Sequence, residues 1–295
     1  MPPILVIGAS GAVGGFLLTR LRAAGHELLA LSRTARAPLD GVQWLRGGLD
    51  DAFVAPAVES VICVGPLDQF VAWFERAPMR SLRRVVALSS MSADSKRESL
   101  DAAERELAQR LAASEQRLAR HCEASGIAWT VLRPTLIYGA GADRSLTPIA
   151  RWSQRTRLFP RIAGATGLRQ PVHADDVAAA CVAALTDAAS GRVLPLGGGE
   201  RLSYAAMLER VRAGLGFATV PLPLRINLLR FVTRITGRGG GMVQRLTHDL
   251  VADNAAAHAL LGWSPRVFNP GPECWQTAAA PDPAARADAS APTTK

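Results

Sequence analysis

The sequence is poor in several residue types, and each scarcity excludes a class of protein. Its 295 residues include two lysines, two tyrosines and four cysteines. The cysteines lie far apart, with no C-x-x-C pair and no histidine cluster near them, which predicts buried free thiols rather than a metal site or a disulfide framework. No apolar run approaches the roughly 18 residues that a membrane span needs, so no transmembrane segment is expected. The cysteines are Cys63, Cys122, Cys181 and Cys274.

The amino terminus and the charge predict a cytoplasmic chain with anionic partners. A strand-like run begins at Ile4 without a basic flank or a small-residue cleavage site, which argues against a secretory signal. Of the 34 basic residues 32 are arginine, and they outnumber the 25 acidic residues. This excess favours dinucleotides, nucleotide-sugars or acidic lipid surfaces as partners. No basic stripe interleaved with aromatic residues is present, so nucleic acid is not expected as a partner.

Short apolar runs alternate with helical patterns through the first half of the chain, which predicts a doubly wound parallel sheet of the Rossmann type. Helices are expected at about 12–24, 67–77 and 100–125, the last ending at Gly126 as a helix C-cap should. The predicted strands are Ile4–Ile7, Leu28–Leu31, Val42–Leu45, Ser60–Val64, Val85–Leu88 and Ala128–Leu132.

After Tyr138 the alternation weakens, and loops rich in Gly and Pro appear. We predict a dinucleotide-binding domain over residues 1–140 with parts of 165–200, and a smaller, partly interleaved substrate-side subdomain over 141–276. The last residues, 277–295, are mostly Ala, Pro, Asp, Thr and Ser, which predicts a disordered tail.

The strongest motif is a glycine-rich turn between the first strand and the first helix. Gly8 allows the tight turn, Gly11 removes a side chain that would block a pyrophosphate, and Gly14 lets helix and strand pack closely. Amides at the helix N-terminus meet the phosphate charge. The whole motif is therefore predicted to hold the pyrophosphate of a nicotinamide dinucleotide. It comprises Gly8, Ala9, Ser10, Gly11, Ala12, Val13 and Gly14.

The end of the second strand bears on which dinucleotide binds. An acidic side chain there would hydrogen-bond the ribose hydroxyls of NAD, but this chain offers Ser32 and Arg33. A hydroxyl and a guanidinium suit a 2′-phosphate instead. The sequence therefore favours NADP, with NAD as the alternative.

Further segments carry a family pattern over residues 3 to about 270. They are Val85–Ser90, Trp129–Gly139, Arg169–Ala178, Leu196–Glu200 and Leu261–Pro265. With the glycine spacing, they resemble the short-chain dehydrogenase/reductase superfamily in its extended and atypical branches. Within it, the chain is similar to the NAD-dependent epimerase/dehydratase proteins and to the nucleotide-binding accessory subunit of respiratory complex I.

The resemblance implies which residues contact cofactor and substrate. Ser92, Arg169 and His173 would lie at the substrate cleft, where Arg169 and His173 could meet a phosphate or a sugar hydroxyl. Besides the glycine motif, the implied cofactor residues are Ser32, Arg33, Leu49, Val64, Gly65, Ser89, Glu115 and Pro134.

One departure from the family pattern lies in the adenine pocket. Gly48 stands where the family usually has an aspartate after the third strand. The adenine amino group would then be held by the backbone at Leu49 or by water, with reduced affinity.

A second departure concerns catalysis. The family uses a tyrosine as general acid/base, with a lysine four residues later that lowers its pKa. Neither Tyr138 nor Tyr204 has a lysine at that distance. The usual positions fall near Leu111 and Glu115, and Glu115 reverses the charge of the lysine. A carboxylate there could bind the nicotinamide ribose hydroxyls but would not acidify a phenol.

Other residues near the cleft could replace this dyad. Ser90 follows the fifth strand at the carboxyl edge of the sheet, where ligands sit in doubly wound folds, and is a candidate for a substrate or nicotinamide contact. Tyr138 and Lys96 are weaker candidates for proton transfer, because a structural tyrosine and a solvated loop lysine are the commoner situations.

Two helical segments have alternative interpretations. Asp175 and Asp176 start the helix that runs to Leu185, and an aspartate is expected to cap its first turn. From Leu224 to Arg238, apolar residues share one helical face and arginines the opposite face. Such a helix packs into a small domain or lies on an anionic membrane.

The sequence thus predicts a NADP(H)-binding reductase or epimerase that acts on a nucleotide-linked or other small polar substrate. The missing dyad leaves a second hypothesis open. In that hypothesis the chain is a non-catalytic sensor, assembly factor or subunit that binds NADP(H) as a structural element.

Overall fold

Strands and helices alternate along the first half of the chain, as the apolar pattern predicts. The computed structural model describes residues 2–50, 53–225 and 246–276. Its strands are β1 (Ile4–Ile7), β2 (Leu28–Ser32), β3 (Val42–Arg46), β4 (Ser60–Cys63), β5 (Arg84–Leu88), β6 (Ala128–Pro134), β7 (Ile137–Tyr138), β8 (Leu158–Ala163), β9 (Leu168–Arg169), β10 (Val172–His173), β11 (Arg192–Leu196), β12 (Leu202–Ser203) and β13 (Val220–Arg225). Its helices are α1 (Gly14–Ala23), α2 (Leu67–Phe74), α3 (Ser92–Ser95), α4 (Ala102–Ala124), α5 (Thr147–Thr156), α6 (Ala174–Ala183), α7 (Tyr204–Ala213) and α8 (Ala255–Leu261).

Seven parallel strands form one central sheet in the order β11, β6, β5, β4, β1, β2, β3. Because β1 pairs with both β2 and β4, the direction of strand addition reverses beside β1. In an open sheet this reversal creates a crevice at the carboxyl ends of the strands, where ligands bind. The predicted doubly wound fold is therefore confirmed, and all six predicted strands are present.

Alternate side chains of β1 enter two different cores, because successive side chains of a strand point to opposite faces of the sheet. Ile4 and Val6 pack with apolar residues of α1 and α6. Leu5 and Ile7 pack with those of α2 and α4. Helices therefore cover both faces of the sheet and leave its carboxyl edge for a ligand.

The second half of the chain builds a smaller unit with its own apolar core, which includes Phe159, Phe268 and Trp275. Strand β8 pairs in parallel with β13, and α5 and α7 both contact β8. We call α5, β8, α7 and β13 the small lobe, and the central sheet with its helices the large lobe.

The structure corrects the start of the helix predicted from Leu224. Leu224 and Arg225 belong to β13, where they pair with Ile162 and Ala163 of β8. The parallel pairing with β8 thus extends over the first two residues of the predicted helix. The rest of that predicted helix, and the predicted tail at 277–295, lie outside the described residues.

The four cysteines are buried thiols, as expected. Burial raises the pKa of Cys63 and of Cys122 to about 12, so neither is a thiolate at neutral pH. Across the described ranges, no cluster of His, Cys, Asp or Glu side chains could hold a metal ion. No helix in the same ranges has the length and apolarity to cross a membrane.

Candidate functional site

The glycine-rich turn packs tightly against the end of β4. Gly8 has a φ of +83°, in the left-handed region that glycine favours. A Cβ atom on Gly8 would lie 2.6 Å from the backbone nitrogen of Gly65, and one on Gly14 would lie 2.3 Å from the carbonyl oxygen of Ala9. A Cβ atom on Gly11 would meet only the carbonyl oxygen of Gly8, at 3.2 Å. The turn is therefore tightly packed against backbone atoms at Gly8 and Gly14, and much less so at Gly11.

Helix α1 begins at this glycine-rich turn. It has no side-chain cap and no acidic residue in its first turn. The first N–H groups of a helix lack intrahelical partners and carry partial positive charge, so they attract anions. This end of α1, beside the open side of Gly11, fits the pyrophosphate of a dinucleotide.

The loop after β2 holds a fixed hydroxyl and two exposed arginines. Ser32 is buried, and its Oγ donates to the carbonyl oxygen of Thr34 at 2.8 Å. The Nε of Arg36 donates to the same Oγ at 3.2 Å. Arg33 and Arg36 are both exposed. A Cβ atom on Gly48 would lie 3.9 Å from the Cγ of Arg33 and 3.3 Å from Oδ2 of Asp50, so the Asp50 carboxylate lies close to this part of the loop.

The remaining predicted cofactor residues lie along the same edge of the sheet. Val64 directly follows β4, and its N–H donates to the carbonyl oxygen of Ile7 at 2.8 Å. Leu49 follows β3 and is half-buried against the core that contains α2 and α4. Pro134 is the last residue of β6. Together these residues extend from β3 across the sheet to β6.

A cavity of about 600 Å³ lies beyond the carboxyl ends of β5 and β6. Its lining includes Ala12 of the glycine-rich turn, so the two regions are contiguous. The cavity also brings together several residues predicted from sequence at separate positions along the chain. They are Ser90, Ser92, Lys96, Pro134 and Arg169.

One wall of the cavity carries hydroxyls and an ammonium group. The Nζ of Lys96 lies 3.1 Å from Oε1 of Glu104, and the hydroxyl of Ser99 donates to Oε2 of the same carboxylate at 2.7 Å. The Oγ of Ser90 accepts from the N–H of Ser92 at 3.1 Å. These contacts hold the ammonium and hydroxyl groups beside the cavity.

Another wall carries a buried guanidinium. Arg169 is 3% exposed. Its Nη1 donates to the carbonyl oxygens of Leu168 and His248 at 2.6 and 2.7 Å, and its guanidinium carbon lies 5.1 Å from the ring centre of Tyr204. Arginine stays protonated in proteins, so Arg169 places a fixed positive charge in this wall. Arg144, which is exposed, adds a third cation to the lining, after Lys96 and Arg169.

Glu115, which lies near the position for which the sequence resemblance implies a lysine, is part of a buried ion pair. Glu115 is 4% exposed and accepts hydrogen bonds from Arg133 Nε at 2.9 and 3.1 Å, from Arg133 Nη2 and from Ser89 Oγ. Arg133 also donates to Asp94. The hydrogen bonds to Glu115 raise the pKa of Arg133. Ser89 and Glu115, both predicted to contact the cofactor, are hydrogen-bonded to each other.

Tyr138 lies in the core of the small lobe, away from the cavity lining. It is 2% exposed, and its ring contacts those of His173 and Phe268 with centres 5.1 and 4.8 Å apart. Burial raises the pKa of Tyr138. The phenol is thus placed as a packing residue.

His173 corrects the predicted cap of α6, because its Nδ1 accepts the N–H of Asp175 at 3.1 Å. The carboxylate of Asp175 binds Arg20 and Arg266 instead. Burial lowers the pKa of His173, so the ring is neutral and can accept this bond at neutral pH. A Cβ atom on Gly139, whose φ is +100°, would lie 2.2 Å from Nε2 of His173. His173 therefore caps α6 and packs against Gly139, and it does not line the cavity.

A family model described as NAD(P)H-binding matches residues 8–188, more than half of the chain. The chain belongs to this NAD(P)H-binding family. A curated relative from Arabidopsis thaliana, mitochondrial NADH dehydrogenase (ubiquinone) 1 alpha subcomplex subunit 9, is 34% identical over 101 residues. That match covers 32% of this chain and 25% of the relative, so the chain spans about a quarter of the relative's length.

Solved structures extend the likeness to the whole fold. UDP-glucuronic acid 4-epimerase from Bacillus cereus, in complex with NAD, matches with a TM-score of 0.69 and 15% identity over 92% of this chain and 96% of that chain. UDP-N-acetylglucosamine 4-epimerase from Bacillus cereus matches with a TM-score of 0.67 and 14% identity over 93% and 94%. At this identity the likeness shows the fold alone.

Sequence reasoning missed three functional candidates in this NAD(P)H-binding family member. Arg36 had a readable signal, since it stands three residues after Arg33 in the same loop. Arg133 and Glu104 had none, because their importance depends on partners that the fold brings from distant elements or from across a turn.

Proposed function

We propose that the protein is an NADP(H)-dependent reductase or epimerase that acts in the cavity on a nucleotide-linked or other small polar substrate. The observation that carries this proposal is the cavity itself, whose walls hold Ser90, Lys96 and Arg169 and which is contiguous with the glycine-rich turn through Ala12. Cofactor site and substrate site thus share one edge of the sheet, as the doubly wound fold requires.

Each wall of the cavity has a distinct task in this proposal. Bound NADPH would supply a hydride. The hydroxyl of Ser90 and the ammonium of Lys96 would hydrogen-bond a substrate carbonyl oxygen, and Lys96, held by Glu104, would donate the proton that the family's tyrosine otherwise provides. Arg169 would bind a phosphate or carboxylate of the substrate. These donors suit the reduction of a carbonyl group. We therefore favour a reductase over an epimerase.

The same proposal assigns the cofactor as NADP(H). Arg36 donates to the hydroxyl of Ser32, and Arg33 is an exposed cation of the same loop. Two guanidinium groups are donors that suit a 2′-phosphate. The pyrophosphate would lie on the amino end of α1, and the adenine beside Leu49.

The cofactor assignment is tested by comparing NADPH with NADH in a calorimetric titration. We expect NADPH to bind at least tenfold more tightly, a difference of about 1.4 kcal/mol or more. Replacing both Arg33 and Arg36 by alanine should abolish most of that preference. Arg83→Ala removes an exposed arginine next to the amino end of β5 and should leave the preference unchanged. Equal affinity of the unaltered protein for the two dinucleotides would contradict the assignment.

The reaction is tested by anaerobic incubation of the protein with NADPH and a series of UDP-keto-sugars, following the absorbance of the reduced nicotinamide. We expect oxidation with at least one substrate. Lys96→Met should lower kcat by about 10²-fold or more, the usual contribution of a general acid, without changing the affinity for NADPH. Tight NADPH binding without any oxidation would remove the enzymatic proposal.

A second candidate function is a non-catalytic NADP(H)-binding subunit or assembly factor. A specific observation favours it, because Glu115 is paired with Arg133 near the position for which the resemblance implies a lysine, and neither tyrosine of the chain is followed by a lysine four residues later. The partial likeness to a complex I subunit is compatible with it. This candidate predicts cofactor that co-purifies with the protein, no turnover and a stable partner. A lone protein that reduces a substrate would exclude it.

A further inference from the structure

The positive charge of the chain is concentrated in two segments, residues 144–174 and 210–248. They contain 13 of the 34 basic residues, all of them arginine, and none of the 25 acidic residues. The rest of the chain has 21 basic and 25 acidic residues. Strand β8 lies in the first segment and β13 in the second, and these strands pair with each other. In the small lobe, residues 147–163 of the first segment therefore meet residues 210–225 of the second, and Glu209 of α7 pairs there with Arg161 and Arg212.

Helix α5 presents part of this charge to solvent. Arg151 and Arg155 are four residues apart, and Trp152 and Arg155 are three apart, so the three share one side of the helix. All three are exposed, Trp152 by 39%. The opposite side of α5 is buried through Ala150 and Ser153. The outward side of α5 thus carries an aromatic ring and two arginines, and Nη2 of Arg151 also donates to the carbonyl oxygen of Gly141 at 2.7 Å.

The chain passes from α5 directly into the small sheet of β8 and β13. Arg157, whose φ is +59°, turns the chain from α5 into β8, and its carbonyl oxygen accepts the N–H of Val220 at 2.8 Å. Val220 and Leu222 point to the same side of β13 and are 62% and 39% exposed. The exposed Arg157 lies over the ring of Phe217, with its guanidinium carbon 4.6 Å from the ring centre. We call the resulting surface the basic face. It comprises Arg151, Trp152, Arg155, Arg157, Val220 and Leu222.

We propose that the basic face docks on an anionic lipid surface. Arginines attract acidic headgroups, while tryptophan and aliphatic side chains gain from insertion at the boundary between headgroups and acyl chains. Nucleic acid would favour several aromatic residues spaced along a basic groove, and this face offers a single tryptophan. An acidic protein surface would match the arginines but would not account for the exposed Val220 and Leu222. This docking does not depend on the proposed activity.

The test is flotation of the full chain with vesicles of phosphatidylcholine, with or without phosphatidylglycerol. We expect retention only on vesicles that contain phosphatidylglycerol, and weaker retention as salt screens the charges. Each arginine near an anionic surface contributes about fivefold to binding, so the double variant Arg151→Gln and Arg155→Gln should bind about 25-fold more weakly. Trp152→Ala should also bind more weakly at equal charge.

The matched control removes the same charge elsewhere. Arg80→Gln with Arg83→Gln alters two exposed arginines next to the amino end of β5 and should leave retention unchanged. Thermal melting curves confirm that each variant is folded. Absence of retention on phosphatidylglycerol, or an equal loss in both double variants, would overturn the proposal. Binding to polyglutamate beads but not to vesicles would overturn it in favour of an acidic protein partner.

Discussion

Two adjacent glycines at the start of α1 have different surroundings. A Cβ atom on Gly14 would lie 2.3 Å from the carbonyl oxygen of Ala9, whereas one on Gly15 would have no atom within 4 Å. The same substitution therefore has opposite consequences at neighbouring positions. Gly14 is part of the contact between helix and turn, and Gly15 only loses backbone freedom on folding.

We predict that Gly14→Ala lowers the free energy of unfolding by about 1–3 kcal/mol, because the turn must move to admit the methyl group. It should also weaken NADPH binding. Gly15→Ala should raise the free energy of unfolding by up to about 1 kcal/mol, the difference in helix propensity between the two residues. Urea unfolding of both variants measures the effect. A loss of stability at Gly15 as large as that at Gly14 would show that the packing described for the turn is wrong.

At the residue scale, the sequence predicts which residues lie at the ends of strands better than it predicts which side chains pair with each other. Ser90 and Lys96 reach the cavity because they closely follow β5. Arg133 pairs with Glu115 across β6 and α4, and nothing in their separate sequence contexts encodes that contact. Tyr138 was similarly ambiguous, because only tertiary packing decides whether a tyrosine after a strand faces a cleft or a core.

Helices α1 and α6 are joined by charged side chains at the element scale. Arg20 of α1 donates to Asp175 of α6 at 2.6 and 2.8 Å, and Arg266 donates to the same carboxylate at 2.7 Å. Burial alone would raise the pKa of Asp175, but the hydrogen bonds from both arginines outweigh it and lower the pKa below its ordinary value of 3.8. The ionised carboxylate therefore stabilises the contact between the two helices.

A pH dependence follows from this pKa. A carboxyl group whose pKa is lower in the folded state stabilises the fold above the pKa of the unfolded chain and loses that effect as the pH falls through the folded value. We predict that Asp175→Asn lowers the melting temperature at pH 7, and that the difference from the unaltered protein shrinks below about pH 4. The control is Glu106→Gln, which removes one negative charge from an exposed position on α4. A difference for Asp175→Asn that stays constant from neutral to acid pH would contradict the prediction.

Regular elements with strong periodicity were predictable, and short or exposed ones were not. The strands β1 to β6 are apolar runs between helices, so their positions could be read within two residues. Strands β7, β9, β10 and β12 have two residues each, too few for any periodic signal. The helix expected from Leu224 shares its first residues with β13, because pairing with β8 outweighs the helical pattern there.

At the scale of the whole molecule, one short segment near the carboxyl end of the described chain joins the two lobes. Trp263 packs in the core that contains α1 and α6, and its Nε1 donates to the carbonyl oxygen of Asp176 at 2.7 Å. Trp275 packs in the core of the small lobe, and its Nε1 donates to the carbonyl oxygen of Gly214 at 3.2 Å. Loss of either anchor should therefore affect both lobes.

We predict one cooperative unfolding transition for the two lobes. Trp275→Ala should lower the free energy of unfolding by about 3–5 kcal/mol, as expected for a fully buried aromatic residue, and should shift the loss of NADPH binding by the same amount. Because Trp152 is exposed, Trp152→Ala should change the free energy of unfolding by about 0.5 kcal/mol or less. Circular dichroism and NADPH binding, followed in the same urea series, provide the measurement. Separate midpoints for the two signals would show that the lobes unfold independently.

Because lysine is scarce, the cavity can be labelled selectively at one side chain. Lys96 is the only lysine before residue 295, and it lines the cavity. An amine-directed reagent that spares guanidinium groups would therefore label the cavity at a single side chain, apart from Lys295 and the amino terminus. Protection of Lys96 in a peptide mass map would then act as a footprint for any ligand in the cavity, without a substitution in the chain.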